Sequence, residues 1–145
     1  MHLNDSELYR ICKNAEFDNP TENLRLAQHL IQLMMRERGI GLAANQAGVN
    51  VRLFVMYVER EIFHCFNPEI LETGDELVSM KEGCLSFPGE RYDLTRPDRI
   101  LVKFANARGQ TQERQLTGMS SRCFQHELDH LNGITMHQRV KESYD

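Results

Sequence analysis

No apolar run in this chain is long enough to span a bilayer, so a membrane-embedded helix is not expected. Nor is there a basic surplus. The 17 Lys and Arg are scattered among 21 Asp and Glu, for a net charge of -4. That argues against a surface that holds nucleic acid by its phosphates. The cysteines Cys12, Cys65, Cys84 and Cys123 form no C-x-x-C pair. The opening Met1-His2-Leu3-Asn4-Asp5-Ser6-Glu7 lacks the basic start and apolar stretch of a secretory signal, and equally the Arg-rich, acid-poor character of a transit peptide. Free thiols and a cytoplasmic location are therefore expected. Repeats, low-complexity tracts and linker-like stretches are missing too. The 145 residues, 41% hydrophobic and 26% charged, read as one soluble domain over residues 1–145 with enough chain to bury a core.

What is present has clear punctuation. In Asn19-Pro20-Thr21-Glu22, Asn19 can cap a helix, Pro20 fits its first turn, and Glu22 lies three residues after the cap. Leu24, Ala27, Leu30, Ile31, Met34 and Met35 then recur at helical spacing, and Gly39 is a natural stop. Residues 51–58, 62–66, 76–80 and 100–104 are short and rich in strand formers, with turn signals at Gly74-Asp75 and Arg108-Gly109. Ser120 to Leu131 returns to helical spacing, with Cys123, Phe124, Leu128 and Leu131 as its apolar face and Gly133 beyond its end. The polar stretch from Gln138 to Asp145 is expected to fray. Helix, strands, helix make an α+β fold with mainly antiparallel pairing.

The sharpest local signal is His126-Glu127-Leu128-Asp129-His130. Residues four apart on a helix share a face, so two imidazoles there can hold one metal ion, and Glu127 can reach a water on it. A surface helix with two histidines and two acids would read the same way. A catalytic metal needs a third protein ligand and an open position. The pattern H-E-x-x-H-x-x-G-x-x-H is nearly met, since Gly133 fits, but Met136 occupies the ligand position and His137 falls one residue late. A third ligand is therefore sought upstream.

Two upstream segments answer that need: Gly39-Ile40-Gly41-Leu42-Ala43-Ala44-Asn45-Gln46 and Glu82-Gly83-Cys84-Leu85-Ser86. With Gln125-His126-Glu127-Leu128-Asp129-His130 they resemble, in order, the three signature motifs of peptide deformylases, G-Φ-G-Φ-A-A-x-Q, E-G-C-Φ-S and H-E-Φ-D-H, where Φ is apolar. The likeness runs from about Gly39 to Gly133. It implies mainly antiparallel strands around a central helix that carries the two histidines. It also implies removal of the formyl group from N-formylmethionyl peptides, with nascent chains as partners. Cys84 would join His126 and His130 as metal ligand, although a lone cysteine is more often an inert buried thiol. Family members typically use ferrous iron, and nickel, cobalt or zinc can take its place; this donor set does not select among them. A water activated on the metal would attack the formyl carbon. Gln46 and the Leu85 backbone N–H would stabilise the oxyanion, and Glu127 would be the general acid/base.

The same resemblance suggests substrate contacts at Gly39, Ile40, Gly41, Gly89, Arg91 and Cys123. Glycines at 39 and 41 would let a peptide backbone come close and pair as an added strand. They would equally serve as a helix end and the start of a turn. Ile40, Leu85 and Cys123 are candidates for the methionine pocket, or for the core. Arg96 is expected to pair with Glu82 and brace the Cys84 loop. The first forty residues match the family poorly, with Asn4 to Arg10 only an echo of the usual opening. Bacterial members commonly continue into a further helix implicated in ribosome docking, whereas this chain ends at Asp145, as short as viral members; little ribosome contact is expected. A general zinc protease, or a non-catalytic module binding formylated peptide, are the competing readings.

Overall fold

A computed structural model describes residues 8–144, with side chains over residues 8–140. Residues 1–7, which include most of the opening segment compared above, and Asp145 lie outside the described residues. Helix α1 spans Pro20–Arg36, and the Asn19 side chain accepts the Glu22 N–H at 3.2 Å, as its sequence predicts. Its other end differs from expectation. Arg38, not Gly39, takes the left-handed conformation (φ 59°). The N–H groups of Arg38 and Gly39 close onto Met35 and Met34, a Schellman cap. Gly39 is small for another reason, given below. Leu24 and Met35 stay partly exposed, and the inward face is Ala27, Leu30 and Met34.

Seven strands follow: β1 (Gly41–Ala43), β2 (Leu53–Val58), β3 (Glu61–Thr73), β4 (Leu77–Cys84), β5 (Phe87–Pro97), β6 (Ile100–Ala105) and β7 (Thr111–Leu116). Five form an antiparallel sheet in the order β1-β2-β3-β6-β7, and β4-β5 form a separate hairpin. Gly41 thus opens a strand rather than a turn. Strands β5 and β7 are not legible in the sequence because their residues are mostly polar and exposed, with no apolar alternation to read. Strand β3 runs on past Phe66, where the expected strand stops, through Asn67-Pro68. Asn67 sits at φ 49°, and its side chain bonds the backbone N–H and C=O of Ala15, while the ladder shifts register around it.

Strand β2 explains the layering. Leu53 and Val55 point into one core with Leu30, Met34 and Phe66, while Phe54 and Met56 point into the other with Phe63, Phe104 and Phe124. The sheet is therefore covered by α1 on one face and by α2 (Gly118–Leu131) on the other. Helix α2 is buried almost all round, including its polar residues, and forms the centre of the molecule. Phe124 anchors it, fully buried and edge-on to Phe54 at 5.0 Å. The chain then makes α3 (Met136–Tyr144), where the sequence suggested fraying. No helix among the described residues is long and apolar enough to cross a membrane.

Phe124→Ala would leave a cavity under the central helix. It is expected to lower stability by about 3–5 kcal/mol, read from urea or guanidinium midpoints at unchanged slope.

Candidate metal centre and cleft

Cys84 ends β4 at a tight turn through Leu85-Ser86. It lies opposite Phe87, whereas Gly83 lies opposite Arg91, so residues 88–90 bulge out of the ladder. His126 and His130 stack one turn apart on α2, with ring centroids 5.0 Å apart. The hairpin end meets this helix face. Cys84 Sγ is 3.2 Å from His130 Nε2, and one donor atom from each of Cys84, His126 and His130 lies within 4.8 Å of the others.

The fit to a metal ion can be judged from these atoms. One sulfur and two imidazole nitrogens are the donors that zinc-like and iron-like ions accept. His126 uses Nδ1 on Glu82 (2.9 Å), which leaves Nε2 for the cluster, the usual way a carboxylate orients a ligand imidazole. Burial holds the His130 imidazole well below its ordinary pKa and therefore neutral, as a ligand must be. Burial would lower His126 too, but hydrogen bonding to Cys84 and Glu82 outweighs it and raises the group to about 10, so an ion held here would have to displace that proton.

Glu127 is 4% exposed, and its Oε1 has no hydrogen-bond partner. Burial raises its carboxyl to about 7, against the opposing pull of His126. A carboxyl poised there can take or give a proton near neutrality. Gln46 lies in the 3₁₀ turn Ala44–Ala47. Its Oε1 accepts the Ala43 N–H at 2.9 Å, which fixes the amide so that Nε2 faces Cys84 Sγ (3.3 Å) and Ser86 Oγ (3.0 Å).

These groups open on a cleft of about 470 Å³, in the range of small-ligand sites. Gly39, Ile40, Gly41 and Gln46 are in its lining. So are Cys84, Leu85, Gly89 and Arg91, with Cys123, His126 and Glu127. His130 is 1% exposed and lies outside the lining. The glycines are dictated by contact. A Cβ at position 41 would sit 2.6 Å from Glu127 Oε2 and 2.8 Å from Cys123 Sγ, and one at position 39 would sit 2.6 Å from Leu85 Cδ1. His137, the near-match to the three-histidine pattern, is not in the cluster; it bonds Glu90 instead.

A family profile described as polypeptide deformylase matches residues 1–145. The chain belongs to the polypeptide deformylase family. It is 43% identical to the peptide deformylase of Thermotoga neapolitana over 117 residues, 81% of this chain and 71% of that relative. The crystal structure of peptide deformylase from Thermotoga maritima superposes with a TM-score of 0.89 at 41% identity, covering 93% of this chain and 91% of that one. A peptide deformylase from Synechococcus elongatus, solved in complex with actinonin, gives 0.87 at 36% identity over 95% of this chain and 75% of that one. Deformylases are metal-dependent enzymes, and the Cys84-His126-His130 cluster is a place where such an ion could be held.

Around the deformylase motifs runs a buried charge network. Arg96 grips Glu82 with Nε at 2.6 Å and Nη2 at 2.9 Å, the pairing expected from the sequence. Sequence reasoning missed the rest. Arg122 donates to Glu82 (2.8 Å) and to the carbonyls of Leu94 and Val78. Asp129 receives Arg96 (2.9 Å) and, from α3, Arg139 (2.7 Å). Asn45 bonds the His130 carbonyl at 2.7 Å. Arg122 does carry a signal, lying one helical turn before His126, but its acidic partner is forty positions away. Burial would raise the Glu82 carboxyl; the bonds from His126, Arg96 and Arg122 outweigh it and hold it well below the usual carboxylate range.

Arg96→Ala would strip both Glu82 and Asp129 of a buried partner. A loss of about 3–5 kcal/mol in chemical denaturation is expected, and a change under about 1 kcal/mol would contradict this account.

Proposed function

We propose that the chain removes the formyl group from the N-terminal formylmethionine of newly made polypeptides and releases formate. It would act in the cytoplasm, as one catalytic domain over residues 1–145. Cys84, His126 and His130 hold one divalent ion, ferrous iron in this reading, with nickel, cobalt or zinc as substitutes. The observation that carries the proposal is the convergence of these three donors beside a buried, unpartnered Glu127 and an oriented Gln46 amide.

When bound, the ion supplies Lewis acidity that makes a water nucleophilic near neutral pH. The chain's own groups do the rest. Glu127 takes a proton as the water oxygen bonds to the formyl carbon, then gives it to the amine nitrogen as the C–N bond breaks. Gln46 Nε2 and the backbone N–H of Leu85 donate to the formyl oxygen as it gains charge. Gly39 and Gly41 let Leu85, Cys123 and Glu127 close onto the β1 edge, along which the peptide backbone lies as an added strand. Ile40, Leu85 and Cys123 surround the methionine side chain, and Gly89 and Arg91 meet the peptide beyond it.

The test is formate release from formyl-Met-Ala-Ser by protein reconstituted anaerobically with iron, or with nickel or cobalt. Unformylated Met-Ala-Ser should stay uncut. A fully metallated sample that yields no formate overturns the proposal. Glu127→Gln should retain its metal and lose about 10²–10⁴-fold in kcat; full activity in that variant would remove Glu127 from the chemistry. Cys84→Ala should bind metal far below one ion per chain by elemental analysis, and stoichiometric retention would exclude the thiol as a ligand.

A further inference from the structure

The bulge at residues 88–90 forms part of the cleft wall, yet it has no cross-strand partner in β4. Such a segment is not fixed by ladder hydrogen bonds. Gly89, at its middle, has φ 80°, and a Cβ there would meet nothing within 4 Å. Packing on that residue does not hold it in place either.

One side chain from a distant element reaches both ends of the bulge. His137, near the start of α3, stands edge-on to Phe87 at 4.3 Å and to Tyr92 at 5.2 Å. Its Nε2 lies 3.2 Å from Glu90 Oε1, the same oxygen that accepts the Tyr92 hydroxyl at 3.1 Å. A carboxylate only accepts, so Nε2 donates. The imidazole is itself on a firm base. Met136 beside it is 2% exposed, Gln138 accepts the Thr135 N–H at 3.0 Å, and Arg139 grips Asp129 of the central helix.

The geometry points to His137 as a positioning residue that clamps the bulge from outside the cleft and thereby sets how the β5 wall meets the peptide. This rests on the proposed function in taking that wall as a substrate surface. Phe87, Glu90 and Arg91 all face the cleft, so loosening the clamp changes binding before it changes chemistry, which takes place at Glu127. The late histidine that fails to complete a metal motif thus has a task of its own.

The experiment uses the full metal-loaded chain and two readouts. In His137→Ala, the ladder amides flanking the bulge, at residues 87 and 91–93, should exchange hydrogen about ten-fold faster while those of α2 are unchanged. The KM for formyl-Met-Ala-Ser should rise about 3–10-fold, as for loss of one part-exposed charged hydrogen bond, with kcat within about two-fold. His137→Gln, which keeps a donor for Glu90, should recover part of both effects. Unchanged exchange and unchanged KM in His137→Ala would overturn the inference. So would faster exchange spread equally through α2 with a matching fall in kcat, since that is general loosening. If the parent protein itself releases no formate, the proposed function fails separately, and the exchange comparison still decides the clamp.

Discussion

The carboxylate of Glu82 accepts hydrogen bonds from Arg96, Arg122 and His126 where almost no solvent reaches, and the placement of the cleft depends on it. The hairpin β4-β5 shares no ladder with the five-stranded sheet. It also has little core: Glu82 is the one buried residue of β4, and Leu94 and Arg96 are those of β5. Hydrophobic contact alone would dock such a hairpin loosely. Buried ion pairs add little net stability compared with apolar packing, but they are directional, and a misplaced partner is costly. Glu82 lies two residues before Cys84, and its partners Arg122 and His126 lie on the helix with both histidines. Fixing that carboxylate therefore fixes where the sulfur arrives relative to the imidazoles.

Against this saturated network, Glu127 stands apart. Its neighbours on α2 are tied down: His126 to Glu82, Asp129 to two arginines, and the His130 carbonyl to Asn45. One Glu127 oxygen has no partner, and burial lifts its carboxyl toward neutrality. A largely tied-down surround with a buried carboxylate oxygen left without a partner is an arrangement that suits general acid/base chemistry.

Much of this was legible from the residues. Asn19-Pro20-Glu22 announced α1 because capping is local, and the helical spacing of Cys123, Phe124, Leu128 and Leu131 announced the central helix because periodicity is local too. The three motifs together brought Cys84 and Gln46 to the right neighbourhood. The strands β5 and β7 escaped because they are polar edges, and β3 runs on through Asn67-Pro68, past its expected end at Phe66. Arg38 rather than Gly39 adopts the left-handed cap, and Gly39 is small because Leu85 packs against it. Helix α3 was not anticipated because its stretch is polar and its anchors, Asp129 and the bulge of β5, lie elsewhere in the chain. What the sequence hides in each case is a partner far away along the chain.

The shortness of β1 has a further consequence. An outermost strand with free backbone groups usually invites pairing with the edge of another molecule, and long flat edges are how folded proteins begin to aggregate. Here the free edge is three residues long, fully buried, and lies against Glu127 and Cys123 rather than at an outer rim. The broad rim of a second folded copy cannot follow it into such a recess, which suits only the single proposed peptide strand. The recess therefore keeps this edge, unlike the exposed edge strand β7, from pairing with a second folded copy.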